Sequence, residues 1–172
     1  MLLTAIKPIK NFDKLKTEVL DIISLVGSEH PQIICQSNSP NSTDWLTGTG
    51  SISGLKMQNE FHYTHLNPAL IGTEIADLIN EYQGVRTRIM ILKPRSCYSV
   101  HADPTMRIHI PIITTTESWM IWPKDNHCSQ LPAGYGYLTD TTKYHTFLNG
   151  STEDRIHIVM CIDRKNYQKF LT

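Results

Sequence analysis

Apolar residues recur at helical spacing early in the chain. Phe12, Leu15, Val19, Ile22, Ile23 and Val26 share one face of a 3.6-residue repeat, with Asn11 at the cap position and Gly27 ending the run. An amphipathic helix is therefore predicted over about 12–26. A second helix is signalled by Asn67 and Pro68 at its start, an apolar stripe of Leu70, Ile71, Ile75, Leu78 and Ile79, and Gly84 beyond its end. Between them, Ile33 and Ile34 after Pro31 read as a short strand, and the alternation of Phe61, Tyr63 and His65 reads as another. Residues 37–54, rich in Ser, Thr, Asn, Gly and Pro, read as a long irregular loop, Trp45 included, that either closes over a substrate or is a flexible surface loop.

From Arg86 onward the period shortens to two. The runs RIMILKP, YSVHADP, RIHIPIIT, WMIWP, GYGYLTD, HTFLNG and RIHIVMCID are separated by Pro, Gly and Asn, which is the pattern of a closed or folded antiparallel sheet. The expected fold class is α+β, mainly β. No internal repeat, heptad or linker divides the chain, so a single domain over 1–172 is expected, with a helix-rich support in 1–85 and a β core in 86–172.

Composition narrows the function classes. With 40% hydrophobic and only 19% charged residues, the chain has the make-up of a compact fold rather than a charge-driven disordered one. Sixteen basic residues cancel sixteen acidic ones, so no long-range field draws it to nucleic acid or to an anionic membrane. The apolar runs are too short to span a bilayer and the N-terminus lacks the pattern of a secretory leader, from which a cytoplasmic location is expected. Cys35, Cys97, Cys128 and Cys161 form no Cys-x-x-Cys pair and are expected as buried apolar filler.

Several polar residues break the strand pattern. If the chain stays extended through this region, His101, Asp103, Arg107 and His109 share a face opposite Ile108, Ile110 and Ile112, although Pro104 and Thr105 interrupt it. A second constellation follows, with His145 and then Arg155 and His157 on one face of the last strand. A histidine, a carboxylate two residues on and a distant histidine match the 2-His-1-carboxylate set that holds Fe(II) and leaves coordination positions open. Other polar groups carry blander readings. His62 and His65 fall on opposite faces of an extended segment, His157 reads as a core histidine, Trp119 and Trp122 as barrel-wall packing, and Arg155 could pair with Asp154 or Asp163.

The segments LKPRSCYSVHADPTMRIHIPI and HTFLNGSTEDRIHIVMCID resemble the aspartyl/asparaginyl β-hydroxylase superfamily of Fe(II)- and 2-oxoglutarate-dependent dioxygenases, which includes free-proline hydroxylases. The resemblance covers about 86–163 and rests on Leu-Lys-Pro, His-x-Asp, Arg-x-His and a distal histidine with an arginine ten positions later. It implies a double-stranded β-helix (jelly-roll or cupin-like) with N-terminal helices packed on it. His101, Asp103 and His145 would be the catalytic iron ligands, Arg155 would bind the distal carboxylate of 2-oxoglutarate, and Arg107 and His109 would help to bind cosubstrate and substrate. The implied reaction uses O2 and 2-oxoglutarate to hydroxylate an unactivated C–H bond of an amino-acid side chain in a peptide or protein, or else of a free amino acid. The rival is a non-catalytic cupin-like barrel with a closed zinc site, for which His109 is the candidate fourth ligand.

Overall fold

The computed structural model describes residues 1–50 and 59–170. In chain order the strands are β1 (Leu3–Pro8), β2 (Gln32–Ile34), β3 (Gln36–Ser37), β4 (His65–Leu66), β5 (Val85–Leu92), β6 (Ser96–Cys97), β7 (Arg107–Ile113), β8 (Ser118–Trp122), β9 (His127–Ser129), β10 (Tyr135–Thr139), β11 (Thr146–Asn149) and β12 (Arg155–Cys161). The helices are α1 (Phe12–Val26), α2 (Glu74–Tyr82) and the short α3 (Arg164–Tyr167). Six strands form a major sheet in the order β1-β10-β7-β12-β5-β2, and four form a minor sheet in the order β6-β11-β8-β9. All pairs are antiparallel. The two sheets close on each other as a double-stranded β-helix.

Alternation along the major sheet divides its residues between two environments. Ile89, Ile91, Ile108, Ile110, Ile112, Ile156, Ile158 and Met160 point outward, where they pack with Leu15, Val19, Ile22 and Ile23 of α1 and Ile75, Leu78, Ile79 and Tyr82 of α2. This is the larger core, and each fully buried aliphatic side chain in it contributes about 1.5–3 kcal/mol. The opposite face looks into the barrel. There Leu92 and Tyr137 of the major sheet meet Met120, Trp122 and Phe147 of the minor sheet in a smaller cluster. Among the described residues, no helix is long and apolar enough to cross a membrane.

The helix over 12–26 forms as predicted. The second helix begins later than its sequence pattern indicates. Asn67 caps a separate 3-10 turn at Pro68–Leu70 through Ala69 N–H, Gly72 takes φ +82°, and α2 starts after Thr73, whose hydroxyl accepts from Ala76 N–H. Ile71 therefore leaves the apolar stripe and is 75% exposed. The α2 C-cap is Gln83 in the left-handed region, one residue before Gly84. Gly84 is required by close approach instead, since a Cβ there would lie 2.7 Å from Met160 Sδ. The alternation at 61–65 is not a strand, because Glu60–His62 is a 3-10 turn closed by the Asn59 side chain.

Of the loop over 37–54, residues 51–54 lie outside the described residues. In the described part, Asp44 accepts from Leu46 and Thr47 N–H, while the Trp45 carbonyl accepts from Ile34 N–H and its ring packs on the larger core. Trp45 is an anchor of the loop rather than a flap. Cys35 and Cys161 are buried, but Cys97 and Cys128 are exposed because they lie in β6 and β9, the two edges of the minor sheet. Asn149 ends β11 and donates from its amide to the carbonyls of Leu92, Lys93 and Glu153.

Candidate metal centre

The extended run from His101 to His109 does not form. β7 starts at Arg107, and His101 lies on an isolated bridge to His145, with N–H···O contacts of 3.0 and 2.8 Å in the two directions. Asp103 is held by its own N–H donating to the Thr141 carbonyl at 2.8 Å. The break at Pro104 lets the chain fold back at the barrel mouth, so two residues distant in sequence are brought side by side. One ligand atom each from His101, Asp103 and His145 lies within 4.8 Å of the others. Nε2 of His101 is 3.9 Å from Asp103 Oδ1, and Nε2 of His145 is 3.8 Å from Asp103 Oδ2.

Backbone carbonyls fix which nitrogen of each imidazole faces inward. His101 Nδ1 lies 2.7 Å from the Ser99 carbonyl and His145 Nδ1 lies 2.9 Å from the Lys143 carbonyl. With the proton on Nδ1 in both rings, both Nε2 lone pairs are free for a cation, which is how metal-binding histidines are usually oriented. Burial lowers the proton affinity of His145, only partly offset by the Lys143 carbonyl and the Asp103 carboxylate, and so favours the neutral ring that a metal needs. The donors, two nitrogens and a carboxylate, suit Fe(II) and equally other first-row divalent ions. His109 is not within the cluster, so among the described residues the centre has three protein donors and no fourth.

Behind the centre lies a cavity of about 1180 Å³ lined by all three residues together with Glu60, Arg86, Arg88, Tyr98, Arg107, His109 and Phe147. Arg107 and His109 are both buried on the inner face of β7. Arg107 is already committed. Its Nη2 lies 2.7 Å from Glu60 Oε1 and 3.2 Å from Asp103 Oδ1, so it links the centre to a buried carboxylate. Glu60 also accepts from Arg86 at 3.0 Å and from Thr105 at 3.1 Å. Burial pushes the Glu60 carboxyl up, but Arg107 and Arg86 outweigh that and hold it below its ordinary range.

Arg155 is 2% exposed and, among the described residues, has no carboxylate partner, so neither Asp154 nor Asp163 pairs with it. It does not line the open cavity. Its guanidinium stacks 3.4 Å from the Phe147 ring centroid, and its Nη2 donates to His157 Nδ1 at 2.7 Å. Burial lowers its pKa to about 9, which still leaves it charged at neutral pH. His157 is the expected core histidine but is only half satisfied. Around Phe147, Arg155 Nε, His157 Nε2, His109 Nδ1 and the Tyr98 hydroxyl are all buried without a hydrogen-bond partner. His109 and His157 are kept neutral by burial first and by Arg155 second. Buried polar atoms left unpaired are costly and rare, and the described residues supply no partner for these four.

Sequence reasoning did not find Glu60, Arg88 or the pairing role of Arg86. A signal existed in β5, where Arg86 and Arg88 share one face of VRTRIMIL opposite Val85, Thr87 and Ile89, much as Arg107 and His109 share a face in RIHI.

No family model matches the chain, and no curated protein matches it. Among solved structures it is similar over 94% of its length to 97% of a viral collagen prolyl hydroxylase from Paramecium bursaria Chlorella virus-1 in a 2OG complex, with a TM-score of 0.55 and 9% identity. A truncated form of that hydroxylase gives a TM-score of 0.53 at 8% identity, covering 95% of this chain and 91% of that one. A cupin domain from Bordetella pertussis Tohama I matches 45% of this chain and 80% of its own, at a TM-score of 0.40 and 19% identity. The prolyl hydroxylase likeness establishes the double-stranded β-helix.

Proposed function

We propose that this protein is an Fe(II)- and 2-oxoglutarate-dependent dioxygenase that hydroxylates an unactivated C–H bond. The observation that carries the reading is the cluster of His101, Asp103 and His145 on a cavity that Glu60, Arg86, Arg88 and Arg107 also line, with no fourth protein donor among the described residues. A closed structural zinc site would use four. Bound in this set, Fe(II) supplies O2 activation coupled to oxidative decarboxylation of 2-oxoglutarate.

The chain's own residues position and neutralise. Ser99 and Lys143 carbonyls aim the two imidazoles, and Arg107 steadies Asp103 while Glu60 offsets its charge. In this reading Arg107 acts as a positioning residue, where the resemblance implies that it helps to bind cosubstrate and substrate. The unpaired donors around Phe147 fit the distal carboxylate of 2-oxoglutarate, with Arg155 as its charge-assisted partner and His109 and Tyr98 beside it. Phe147 lines the cavity and covers Arg155, so contact with a ligand requires the ring to turn aside. The substrate is read as an amino-acid side chain in a peptide or protein rather than a free amino acid. Val100 and Tyr144, next in sequence to His101 and His145, are 53% and 46% exposed and are large hydrophobic residues available to a polypeptide.

The test is anaerobic. Fe(II) and then 2-oxoglutarate are added to metal-free protein, and the visible charge-transfer absorption of a chelated keto acid is followed, with His145→Ala as control. A band in the parent that is lost in the variant supports the reading. Confirmed metal binding without a band would replace it with the non-catalytic metal-barrel alternative.

A further inference from the structure

Arg88 is 6% exposed on the inner face of β5 and lines the cavity directly. Its Nη1 donates to Gln32 Oε1 at 3.0 Å, its Nε has no partner, and among the described residues no carboxylate pairs with it. Burial disfavours its charge most, and the neighbouring Arg86 and Arg107 add to this, against a partial offset from Cys161 and from the Glu60 carboxylate, neither of which pairs with it directly. A guanidinium kept in that setting without a counter-ion weakens the fold unless something else compensates it.

The position separates Arg88 from the pocket around Phe147. Arg88 stands opposite Val159 on β12, whereas Arg155 stands opposite Leu92. Four residues of extended chain divide the two, about 13 Å along the strand. The charges also fail to balance. Among the described residues, Arg86, Arg88 and Arg107 in the cavity and Arg155 behind Phe147 have Glu60 and Asp103 as carboxylate counter-charges, leaving two positive charges. A divalent metal would add two more, and the 2-oxoglutarate dianion removes two. The cavity then still carries excess positive charge, and its volume of about 1180 Å³ exceeds the roughly 300–1,000 Å³ typical of a single-ligand site.

We infer that Arg88, supported by Gln32, is a second anion site that recognises a carboxylate on the substrate itself. The inference rests on the oxygenase reading and names the substrate class. A planar guanidinium with a free edge takes a carboxylate bidentately. The carboxylate has two sources, the side chain of an acidic residue in a peptide or the α-carboxylate of a free amino acid.

Both sources are tested by calorimetry on protein saturated anaerobically with Fe(II) and 2-oxoglutarate. The probes are an end-capped Ala-Ala-Asp-Ala-Ala peptide against its Asn counterpart, and free L-amino acids against their α-carboxamides. At least one carboxylate should bind about tenfold or more tightly than its amide, and the arm in which this occurs identifies the source. Arg88→Met should erase that preference while shifting the 2-oxoglutarate isotherm by less than about threefold, and the melting temperature of the metal-free variant should equal or exceed that of the parent. A purely structural arginine would lower it. The inference is overturned if no probe binds, if carboxylates and amides bind alike, or if Arg88→Met weakens 2-oxoglutarate as much as Arg155→Met does. If the parent shows no charge-transfer band yet an Arg88-dependent carboxylate preference persists, the anion site stands and the oxygenase reading falls.

Discussion

Alternate residues of the same strands build the two faces of the major sheet, and the faces obey different rules. The outer face is almost uniformly isoleucine, with Ile89, Ile108, Ile110 and Ile158 all at 0% exposure against α1 and α2. The inner face is as buried but carries Arg88, Arg107, His109, Arg155 and His157. The first face is held by dispersion and apolar burial and leaves only a neutral hydroxyl, Thr87 Oγ1, without a partner among its described strand residues, whereas the second leaves the nitrogens Arg88 Nε, His109 Nδ1, Arg155 Nε and His157 Nε2 without partners. Stability is concentrated on one side of the sheet and binding capacity on the other. The period-two alternation lets one strand serve both without compromise.

The inner face divides further, into charges that are paired and charges that are not. The largest effect is expected where a paired group is broken. Among the described residues, Glu60→Gln leaves Arg86 buried with no carboxylate partner and Arg107 with Asp103 alone, so unfolding in urea should show a loss of about 3–5 kcal/mol. A loss below about 1 kcal/mol would mean that Glu60 is not the counter-ion holding the inner face together. Slightly smaller is Ile158→Ala on the outer face, expected to cost about 2–5 kcal/mol. The 2-oxoglutarate charge-transfer band should survive this change in the folded variant. Loss of the band would show that the two faces are not separable.

An unpaired inner charge should respond in the opposite sense. Arg155→Met removes a guanidinium that no carboxylate compensates, so the metal-free protein should melt no lower than the parent. The 2-oxoglutarate requirement should rise about 10–100-fold, the worth of a charge-assisted hydrogen bond. An unchanged requirement would remove Arg155 from the cosubstrate pocket, and a large stability loss would make it a structural residue.

The distinction between faces was legible in the sequence where alternation is regular. RIHIPII and RIHIVMC display it directly, and His101, Asp103 and His145 could be grouped although their contact depends on a bridge that spacing alone cannot reveal. What escaped was decided by tertiary partners. Glu60 lies in a 3-10 turn far from the β core in sequence and matters only because Arg86 and Arg107 converge on it. Ile71 fits a helical stripe but follows a separate turn, and Gly72 at positive φ ends the pattern before α2 begins. Cys97 and Cys128 look like their buried counterparts until sheet order places them on edges.

The smallest expected effect is a slope. Burial and then Arg155 hold His157 well below its ordinary value of 6.5, so the folded protein keeps it neutral while the unfolded chain protonates it near that value. Between the two values the unfolded state binds the extra proton. Stability attributable to His157 is therefore complete above pH 6.5 and is lost as pH falls below it. His109 acts in the same direction, as does His145 in metal-free protein. Each histidine that stays neutral changes the folded-to-unfolded ratio about tenfold per pH unit. Glu60, held below 4.5, contributes its own loss only at lower pH, so the histidine window runs from 6.5 down to about 4.5. His157→Asn preserves an acceptor for Arg155 and removes one titrating group. Urea midpoints of metal-free protein between pH 7.5 and 5 should fall less steeply in the variant, by about one proton's worth of slope. Parallel slopes would mean that His157 takes up its proton without cost in the folded state, and the inner face would then be wetter than its burial indicates.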